Sequence, residues 1–536
     1  MKALTAAEMR EVDRLTTERY GIPSLQLMEN AGRKAADAVL RFVARRDQVS
    51  VCVLCGKGNN GGDGFVAARY LRDAKLPTRV LLFGRQEDIR GDAGINLSKW
   101  VDGGGNLEII VSDGDWGRVR REVCCSNVIV DALLGTGLRG AATGTIARAI
   151  SEINDRTKQA TTTRPALILA VDTPSGLSSN GEIPEGPVLF AHRTVTFTAP
   201  KVSQLISAKS EACGKLEVAS IGSPAELIEE TGKSELRWAG PDEFASMRLV
   251  RAADSNKGTF GHVLLVAGSL GKSGAAVMAG YACMRAGAGL TTIACPDPVL
   301  PVVASAHPEY MTEPLASTGN GSIAASSFSS GRFGKILESK TVLAIGPGVG
   351  THPETQQTIR QLVRESAMPV ILDADGLNCF AGEAEVLRER KSPFLAITPH
   401  PGEMARLLGI SVTAVQSDRR EIASEAARRC NAHVVLKGFH TILAAPDGHT
   451  WVNITGGPSL AKGGTGDVLT GVLAALTAQF GTEDWLRVLA LGVYLHGSAA
   501  DLAASEADPS GVLAHEVAER IPNAREHLLR EIQFGG

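Results

Sequence analysis

This sequence has little of what marks nucleic-acid-binding, disulfide-bonded or secreted proteins. Its 536 residues carry a formal net charge of only −3 and 4% aromatic side chains, so neither a basic face for phosphates nor a stacking platform for bases is predicted. The nine cysteines are an odd number in a long chain, which favours reduced thiols over a disulfide framework. The N-terminus becomes charged from Glu8 onward and lacks the apolar core of a signal peptide. We therefore expect a cytoplasmic protein without a nucleic-acid partner.

The sequence also gives little indication of a membrane span or of a site built from paired cysteines. We find no apolar stretch of the roughly 18 residues that would suggest a membrane span, and we expect no membrane association. Cys52 and Cys55 have C-x-x-C spacing, but they lie in an apolar run and no second pair follows at ligand spacing. This context favours a buried strand over a redox or metal site.

What the sequence does have is glycine, 59 residues against an average of roughly 7%. The glycines cluster at the ends of short apolar segments that alternate with helical patterns, which is typical of a parallel sheet covered on both faces. Two such series flank a polar, Gly- and Pro-containing stretch, 222–257. The sequence therefore predicts an α/β fold with two three-layer domains, 1–230 and 235–536.

The apolar patterns give approximate bounds for the elements of each half. In the first half, the predicted strands are 49–54, 79–83, 128–130, 167–171, 194–197 and 216–221, and the predicted helices are 24–45, 65–74 and 143–154. In the second half, the predicted strands are 261–267, 290–295, 341–345, 369–373, 394–398, 433–437 and 441–445, and the predicted helices are 273–287, 467–480 and 485–505.

Three glycine-rich loops follow predicted strands of the first half. They span 56–64, 131–137 and 172–176. Because ligands of an open parallel sheet bind outside the carboxyl ends of its strands, the three loops should meet at one edge. Glycines expose N–H groups to phosphate, and the oxygens of Asn60, Asp131 and Ser175 suit a hard cation. The loops together predict a nucleotide-like site.

The motifs Asn59–Gly64, Asp131–Gly137 and Asp172–Gly176, with Leu27–Gly32 before them, resemble the NAD(P)H-hydrate epimerase family over about 1–225. The resemblance implies a Rossmann-like domain that interconverts the two epimers of hydrated NAD(P)H, with Asp172 as the acid/base group. Lys201 either assists this group or is a solvated loop lysine. The resemblance further implies potassium on Asn60, Asp131 and Ser175, and substrate on Asn59, Asn60, Gly61, Gly62, Asp63, Gly135, Thr136, Gly137, Leu138, Arg139, Gly140, Ala141 and Asp172.

In the second half, the motif Gly463–Asp467 runs directly into an apolar helix. This arrangement gathers free N–H groups and the positive end of the helix dipole at an anion site. Asp467 could accept a proton from a hydroxyl that attacks a phosphate, although an acidic residue is also simply favoured at a helix start. Lys437–Thr441, after a predicted strand, offers an ammonium and a hydroxyl to phosphate oxygens. The two motifs predict phosphoryl chemistry.

Two further candidate residues, Glu403 and His400, lie near these motifs. Glu403 is a candidate to hold Mg²⁺ through water, because carboxylates are common magnesium ligands. His400 lies between Pro399 and Pro401, which restrict its position, so both a structural and a functional role remain open.

These motifs resemble the ribokinase superfamily and, within it, the ADP/ATP-dependent NAD(P)H-hydrate dehydratases, over about 240–525. Supporting segments are Lys257–His262, Ala267–Ser269, Gly274–Ala276, Gly346–Gly350 and Asp373–Asn378. The resemblance implies phosphorylation of the ring hydroxyl, assisted by Asp467, followed by loss of phosphate. It places substrate on Ala276, Gly348, His400 and Asp467, and the nucleotide on Lys437, Gly438, Phe439, His440, Thr441 and Gly466. Lys462 departs from the family pattern, and we expect it to alter nucleotide affinity.

Our hypothesis is a fused enzyme in which the first domain supplies the epimer that the second accepts. The expected cofactors are potassium for the epimerase domain and Mg²⁺ with ADP or ATP for the dehydratase domain. We also expect a homo-oligomer. Two alternatives remain: a vitamin-type small-molecule kinase that keeps the phosphate on its product, and a first domain that only binds or dimerises. The sequence leaves open the choice between ADP and ATP and between hydrated NADH and NADPH.

Overall fold

The computed structural model describes residues 1–44, 49–138, 140–158, 166–180, 185–329, 331–481 and 484–534. The chain divides into two compact units, Met1–Ser234 and Glu235–Gly536. Each unit contains helices and a predominantly parallel sheet, so the predicted α/β class is confirmed.

The first unit is built on a seven-stranded sheet with the order β3-β2-β1-β4-β5-β6-β7, in which every pair is parallel. The strands are β1 Val51–Cys55, β2 Thr78–Phe83, β3 Asn106–Ile110, β4 Val128–Ala132, β5 Leu167–Val171, β6 Arg193–Phe197 and β7 Lys215–Ala219. The helices are α1 Ala6–Tyr20, α2 Ser24–Val43, α3 Asn59–Asp73, α4 Gly91–Asp102, α5 Asp113–Cys125, α6 Gly144–Lys158, α7 Val202–Ile206 and α8 Ala225–Thr231.

Alternate residues of the first sheet enter two separate apolar cores, one on each face. In β1, Cys55 belongs to one core and Cys52 to the other, and both are fully buried. The two thiols therefore point to opposite faces, which confirms the buried strand and excludes a joint redox or metal site.

The second unit has a ten-stranded sheet with the order β11-β10-β9-β12-β13-β14-β15-β16-β17-β8. Only the β15–β16 and β16–β17 pairs are antiparallel. The strands are β8 Leu236–Trp238, β9 His262–Val266, β10 Leu290–Pro296, β11 Met311–Leu315, β12 Val342–Ile345, β13 Val370–Leu372, β14 Leu395–Ile397, β15 His433–Leu436, β16 Thr441–Ala444 and β17 Thr450–Asn453. The helices are α9 Ser273–Arg285, α10 Leu300–Ala306, α11 Ser326–Ser329, α12 Arg332–Leu337, α13 Pro353–Glu365, α14 Ala374–Asn378, α15 Pro401–Leu408, α16 Val412–Ser417, α17 Arg419–Cys430, α18 Thr465–Phe480, α19 Trp485–Glu506 and α20 Ala514–Phe534.

Helix α19 corrects one expectation from the sequence. By length and composition it could cross a membrane, with a mean hydropathy of 1.2 over its most apolar window. Its apolar residues are mostly buried, however, in the core that α19 forms with α9, α18 and α20. A helix that is apolar all round is expected in the middle of a large core, so this feature is weak evidence for a membrane span.

The start of α3 corrects another expectation. Residues 59–64, predicted as a loop, form the first turns of this helix, and Asp131 lies inside β4 rather than after it. Glycine is a poor helix former, but here its missing side chain is required for packing. A Cβ at Gly61 would lie 2.0 Å from the Gly56 carbonyl oxygen, and one at Gly62 would lie 2.6 Å from the sulfur of Met28. The glycines thus allow α3 to approach both β1 and α2 closely.

Candidate active sites

The first candidate site lies where the strand order of the first sheet reverses, between β1 and β4. This switch point is where open α/β sheets bind ligands. A cavity of about 610 Å³ opens there. Eight of the predicted substrate residues line it: Asn59, Asn60, Asp63, Gly135, Thr136, Gly137, Leu138 and Asp172.

Four of the five remaining predicted substrate residues do not line this cavity. Gly61 and Gly62 are buried in the first turns of α3, whereas Gly140 is exposed and Ala141 is half-buried. Arg139 lies outside the described residues.

Asp172 and Lys201 form a buried ion pair at one wall of the cavity. The Lys201 ammonium donates to Oδ1 of Asp172, and the Thr196 hydroxyl donates to the same oxygen at 3.1 Å. The Lys201 side chain is only 1% exposed, which excludes the alternative of a solvated loop lysine. Asp172 has a φ of +61°, a strained conformation for a non-glycine residue, and the Gln204 amide donates to its carbonyl oxygen at 2.7 Å. The surroundings thus fix the Asp172 carboxylate in place.

The predicted potassium ligands come together beside this pair. The Asp131 carboxylate is completely buried and accepts from the Ser175 hydroxyl at 2.5 Å and the Ser175 N–H at 2.8 Å. Its donors are neutral, and burial raises the pKa of Asp131 to about 6. The amide oxygen of Asn60 is buried and has no hydrogen-bond partner among the described residues, while its amide nitrogen donates to the Leu134 carbonyl oxygen at 3.1 Å. A buried carboxylate without a counter-ion and an orphaned amide oxygen together fit a monovalent cation.

Sequence reasoning missed two contributors to this site, Asp13 of α1 and Gln204 of α7. Asp13 lines the cavity from a helix that the apolar pattern did not reveal. One signal was present, because Thr5 and Glu8 have the spacing of a capping box and form one in the structure.

The second candidate site lies at the corresponding switch point of the second sheet, between β9 and β12. The loops after these strands are joined, because the Gly268 N–H donates to the Pro347 carbonyl oxygen at 2.8 Å and the Ser269 hydroxyl to that of Gly348 at 2.7 Å. Gly348 has a φ of +66°, and a Cβ there would lie 2.8 Å from the Lys272 carbonyl oxygen, so glycine is required. These contacts place Gly348 at the sheet edge.

The start of α18 forms the predicted anion site. Its N-cap residue, Gly464, is left-handed with a φ of +92°, and no side chain among the described residues caps the helix. The Thr465 N–H donates to the Lys462 carbonyl oxygen at 3.5 Å, and the next N–H groups, of Gly466 and Asp467, are available to an anion. Asp467 lies in this first turn. Burial, reinforced by the charge of Asp373 and opposed by that of Lys437, raises the pKa of Asp467 to about 7.

Lys437 lies beneath this helix start in a network that sequence reasoning did not assign. Its ammonium donates to Oδ1 of Asp373 at 2.8 Å, and the Thr470 hydroxyl, one turn after Asp467, donates to Oδ2 at 2.6 Å. Asp373 is 1% exposed, and the nearby Lys437 ammonium holds its pKa below the usual value against the effect of burial. The network joins β15, α14 and α18 at the anion site. Two advance signals were present: Asp373 is the last residue of a predicted strand, and it begins the Asp373–Asn378 segment that supports the family resemblance.

His400 and Glu403 begin α15 beside this network. His400 is the N-cap, and its Nδ1 accepts the Gly402 N–H at 3.0 Å, so the ring has a structural role while half of its side chain stays exposed. Glu403 is buried, accepts the His400 N–H at 2.8 Å and lies 3.6 Å from the Lys437 ammonium. Among the described residues, no cluster of three or more His, Cys, Asp or Glu could hold a metal directly. A magnesium ion reached through water is compatible with the contacts of Glu403.

The other predicted residues of this site differ in exposure. Ala276 is fully buried in α9 below Gly268, and Phe439 is 53% exposed and stacked on His440 with ring centroids 4.0 Å apart. Gly466 lies next to the Lys437 ammonium, since a Cβ there would be 3.5 Å from it. Gly438 and Thr441 flank the same turn, with the Thr441 hydroxyl donating to the Gly438 carbonyl oxygen at 3.4 Å. Lys462 points elsewhere, donating to the Ser510 carbonyl oxygen at 2.7 Å.

Two family models match the two halves of the chain separately. A family model described as NAD(P)H-hydrate dehydratase matches 263–523, and one described as YjeF-related protein N-terminus matches 24–203. The crystal structure of the ADP/ATP-dependent NAD(P)H-hydrate dehydratase from Bacillus subtilis, co-crystallised with ATP/Mg²⁺, is 33% identical, covers 55% of this chain and 98% of that one, and has a TM-score of 0.47.

Full-length relatives extend the similarity over the whole chain. The Bifunctional NAD(P)H-hydrate repair enzyme Nnr of Moorella thermoacetica is 39% identical over 534 residues, which are 99% of this chain and 98% of that protein. The protein of the same description from Escherichia coli is 33% identical over 512 residues, covering 96% of this chain and 92% of that protein. Because this identity extends over almost the entire length of both proteins, the chain belongs to the family of bifunctional NAD(P)H-hydrate repair enzymes.

Proposed function

We propose that the two units catalyse two successive steps in the repair of hydrated NAD(P)H. The N-terminal domain, 1–230, would interconvert the two epimers of the hydrate. The C-terminal domain, 235–536, would dehydrate one epimer in a reaction that consumes ADP or ATP. The observation that carries this proposal is that each switch point holds a lysine–carboxylate pair next to a further carboxyl group suited to proton transfer.

In the epimerase site, Asp172 exchanges a proton with the hydroxyl group on the ring carbon that is inverted. Lys201 and Thr196 both donate hydrogen bonds to its carboxylate and fix its orientation. A cavity of about 610 Å³ is in the size range of ligand pockets and can enclose the reacting half of a dinucleotide.

Asn60, Asp131 and Ser175 would hold potassium beside this cavity. When bound, the ion would neutralise the buried Asp131 carboxylate and satisfy the Asn60 amide oxygen. These residues come from α3, β4 and the loop after β5. The same contacts would therefore fix the relative positions of three elements around the cavity.

In the dehydratase site, the N–H groups at the start of α18 and the Lys437 ammonium would hold the phosphates of the nucleotide. The substrate hydroxyl, near Gly348 and His400, attacks the terminal phosphate and loses its proton to Asp467. The bridging bond of the nucleotide breaks, and the shorter nucleotide leaves. The new phosphate ester then departs, assisted by the electron pair of the ring nitrogen, and loss of a neighbouring ring proton restores NAD(P)H.

Glu403 would hold a magnesium ion through a water molecule. This ion would supply positive charge to the nucleotide phosphates. Lys437, Gly438, Phe439, His440, Thr441 and Gly466 would surround the nucleotide. The ion pair between Lys437 and Asp373 orients the ammonium towards the helix start before any nucleotide binds.

Incubation of the full chain with hydrated NADH, Mg²⁺ and either ADP or ATP tests the proposal. We expect the absorbance of NADH to return only when a nucleotide is present, with stoichiometric release of phosphate. If a stable phosphorylated product accumulates and NADH does not return, the chain acts as a kinase and the proposed dehydration is wrong. Hydrated NADPH in a parallel reaction tests the substrate preference.

A further inference from the structure

Helix α1 contributes to the first site although it lies before the segment that the matched family model covers, which begins at residue 24. The chain before α1 pairs with the loop that carries Lys201. The Leu4 N–H donates to the Pro200 carbonyl oxygen at 2.9 Å, and the Val202 N–H donates to the Leu4 carbonyl oxygen at 3.1 Å. These two bonds flank Lys201 and hold α1 in a defined position against the cavity.

Three residues of α1 line the cavity: Met9, Arg10 and Asp13. Asp13 lies four positions after Met9 and three after Arg10, so it shares a helix face with each of them. Asp13 is half-buried, and its Oδ1 atom is buried without a hydrogen-bond partner among the described residues. A buried carboxyl oxygen without a partner is costly, so it is expected only where a ligand or a proton satisfies it. Its place on the cavity wall makes the substrate the natural partner.

Three carboxyl groups share the charge of one lysine at this wall of the cavity. The Lys201 ammonium is bonded to Asp172 and its charge also acts on Asp13 and Asp63, neither of which forms an ion pair among the described residues. Burial, opposed by Lys201 and reinforced by Asp172, raises the pKa of Asp13 to about 6. Burial together with the charges of Asp172 and Asp13 places the pKa of Asp63 well above its usual value. A carboxyl with a raised pKa, Asp13, next to one that is ion-paired, Asp172, is an arrangement that suits an acid/base pair.

We propose that Asp13 is the second acid/base residue of the epimerase site, opposite in role to Asp172. The inference rests on the proposed epimerase function. The hydroxyl proton of the substrate passes to Asp172 while the bond between the hydroxyl-bearing carbon and the ring nitrogen breaks. Its electron pair stays on the nitrogen, which takes a proton from Asp13, and an open-chain aldehyde results.

Rotation of the aldehyde then presents its other face to the nitrogen. The nitrogen attacks and returns its proton to Asp13, and Asp172 returns the first proton to the oxygen. Apart from these proton transfers, only the carbon–nitrogen bond is broken and re-formed. The net change is inversion at one carbon, and both residues recover their starting states.

The test uses the full chain with Asp13→Asn, which keeps the size of the side chain but cannot donate a carboxylic proton. Glu11→Gln is the matched control, because Glu11 lies on the exposed side of the same helix, paired with Arg14. One purified epimer is followed by chromatography without nucleotide, above its spontaneous rate. We expect Asp13→Asn to lower kcat by about 10²-fold or more with KM within about 3-fold, and Glu11→Gln to match the wild type.

Nucleotide-dependent dehydration by the same samples serves as an internal check of the enzyme, and the melting temperature of each variant reports folding of the first unit. If Asp13→Asn does not fold, the smaller Asp13→Ser is measured in its place and the same loss of kcat is expected. A wild-type kcat in the folded variant, or a loss confined to KM, overturns the role of Asp13 while leaving the epimerase function intact. If the wild-type chain does not accelerate epimerisation at all, the epimerase proposal fails, and the role of Asp13 fails with it.

Discussion

Replacement of Asp467 by Asn separates catalysis from stability in the dehydratase site. The variant keeps the shape of the side chain at the start of α18 but cannot accept the proton of the attacking hydroxyl. Loss of a general base lowers rates by on the order of 10²–10⁴-fold. We expect nucleotide-dependent dehydration to fall by this factor, while epimerisation, which occurs in the other unit, stays at the wild-type rate.

The same substitution should not destabilise the protein. Burial raises the pKa of Asp467 from 3.8 to about 7, which corresponds to at most about 4 kcal/mol of differential free energy. Because the folded protein holds this proton more tightly than the unfolded chain, the wild-type residue lowers stability as the pH rises from about 4 to about 7. Asp467→Asn removes this penalty, so it should raise the melting temperature of the second unit at pH 8 and leave it nearly unchanged at pH 4. Wild-type dehydration should also increase as the pH rises through 7, because the base must be deprotonated.

The assay follows the return of NADH absorbance with saturating nucleotide and Mg²⁺, and separately the conversion of one purified epimer without nucleotide. Thermal unfolding at pH 4 and pH 8 completes the comparison. Dehydration by Asp467→Asn at a rate near that of the wild type would refute its role as the base. If Asp467→Asn has a lower melting temperature than the wild type at pH 8, the electrostatic argument is refuted independently of the catalytic one.

Three further variants and the two separate domains test the remaining features. Asp172→Asn should lower the turnover of epimerisation more than it lowers affinity, whereas Asp131→Ala should weaken both potassium stimulation and substrate binding; equal rates with and without potassium in the wild type would contradict the ion site. Lys437→Met leaves Asp373 buried without a cation, so it should abolish dehydration and destabilise the second unit by roughly 3–5 kcal/mol in urea unfolding. The separate domains 1–230 and 235–536 should each fold and retain their own activity; dehydration that requires the first domain in the same chain would contradict their independence.

The sequence predicts the sheets and the edges where ligands bind because both follow from local patterns. Buried parallel strands are continuous apolar runs, and the residues that follow them lie at the carboxyl edge whatever the strand order. This is why Asp172 and Asp131 could be placed together in advance. The short strand β8 and the helix α1 were missed, because a three-residue strand has too few residues for a pattern and α1 is marked mainly by its capping box.

Contacts between distant segments could not be predicted by these means. Lys201 is ordinary in sequence, and its burial results from the approach of β5, β6 and the segment before α1 around it. Likewise, the bonds of Asp373 to Lys437 and Thr470 join residues 64 and 97 positions apart. Glycine patterns indicate where a backbone comes close to another group, but not which partner it approaches.

The two sites share an electrostatic arrangement despite their different sheets. In each, one lysine ammonium is bonded to one carboxylate at a strand end, Lys201 to Asp172 and Lys437 to Asp373. A further carboxyl nearby has no ammonium bonded to it, and its pKa is raised to about 6 in Asp13 and about 7 in Asp467. A carboxyl with a pKa near neutrality can both take and release a proton at the pH of the cell. The lysine therefore does more than neutralise its partner: because it is bonded to one carboxylate, the other is left to titrate where catalysis needs it.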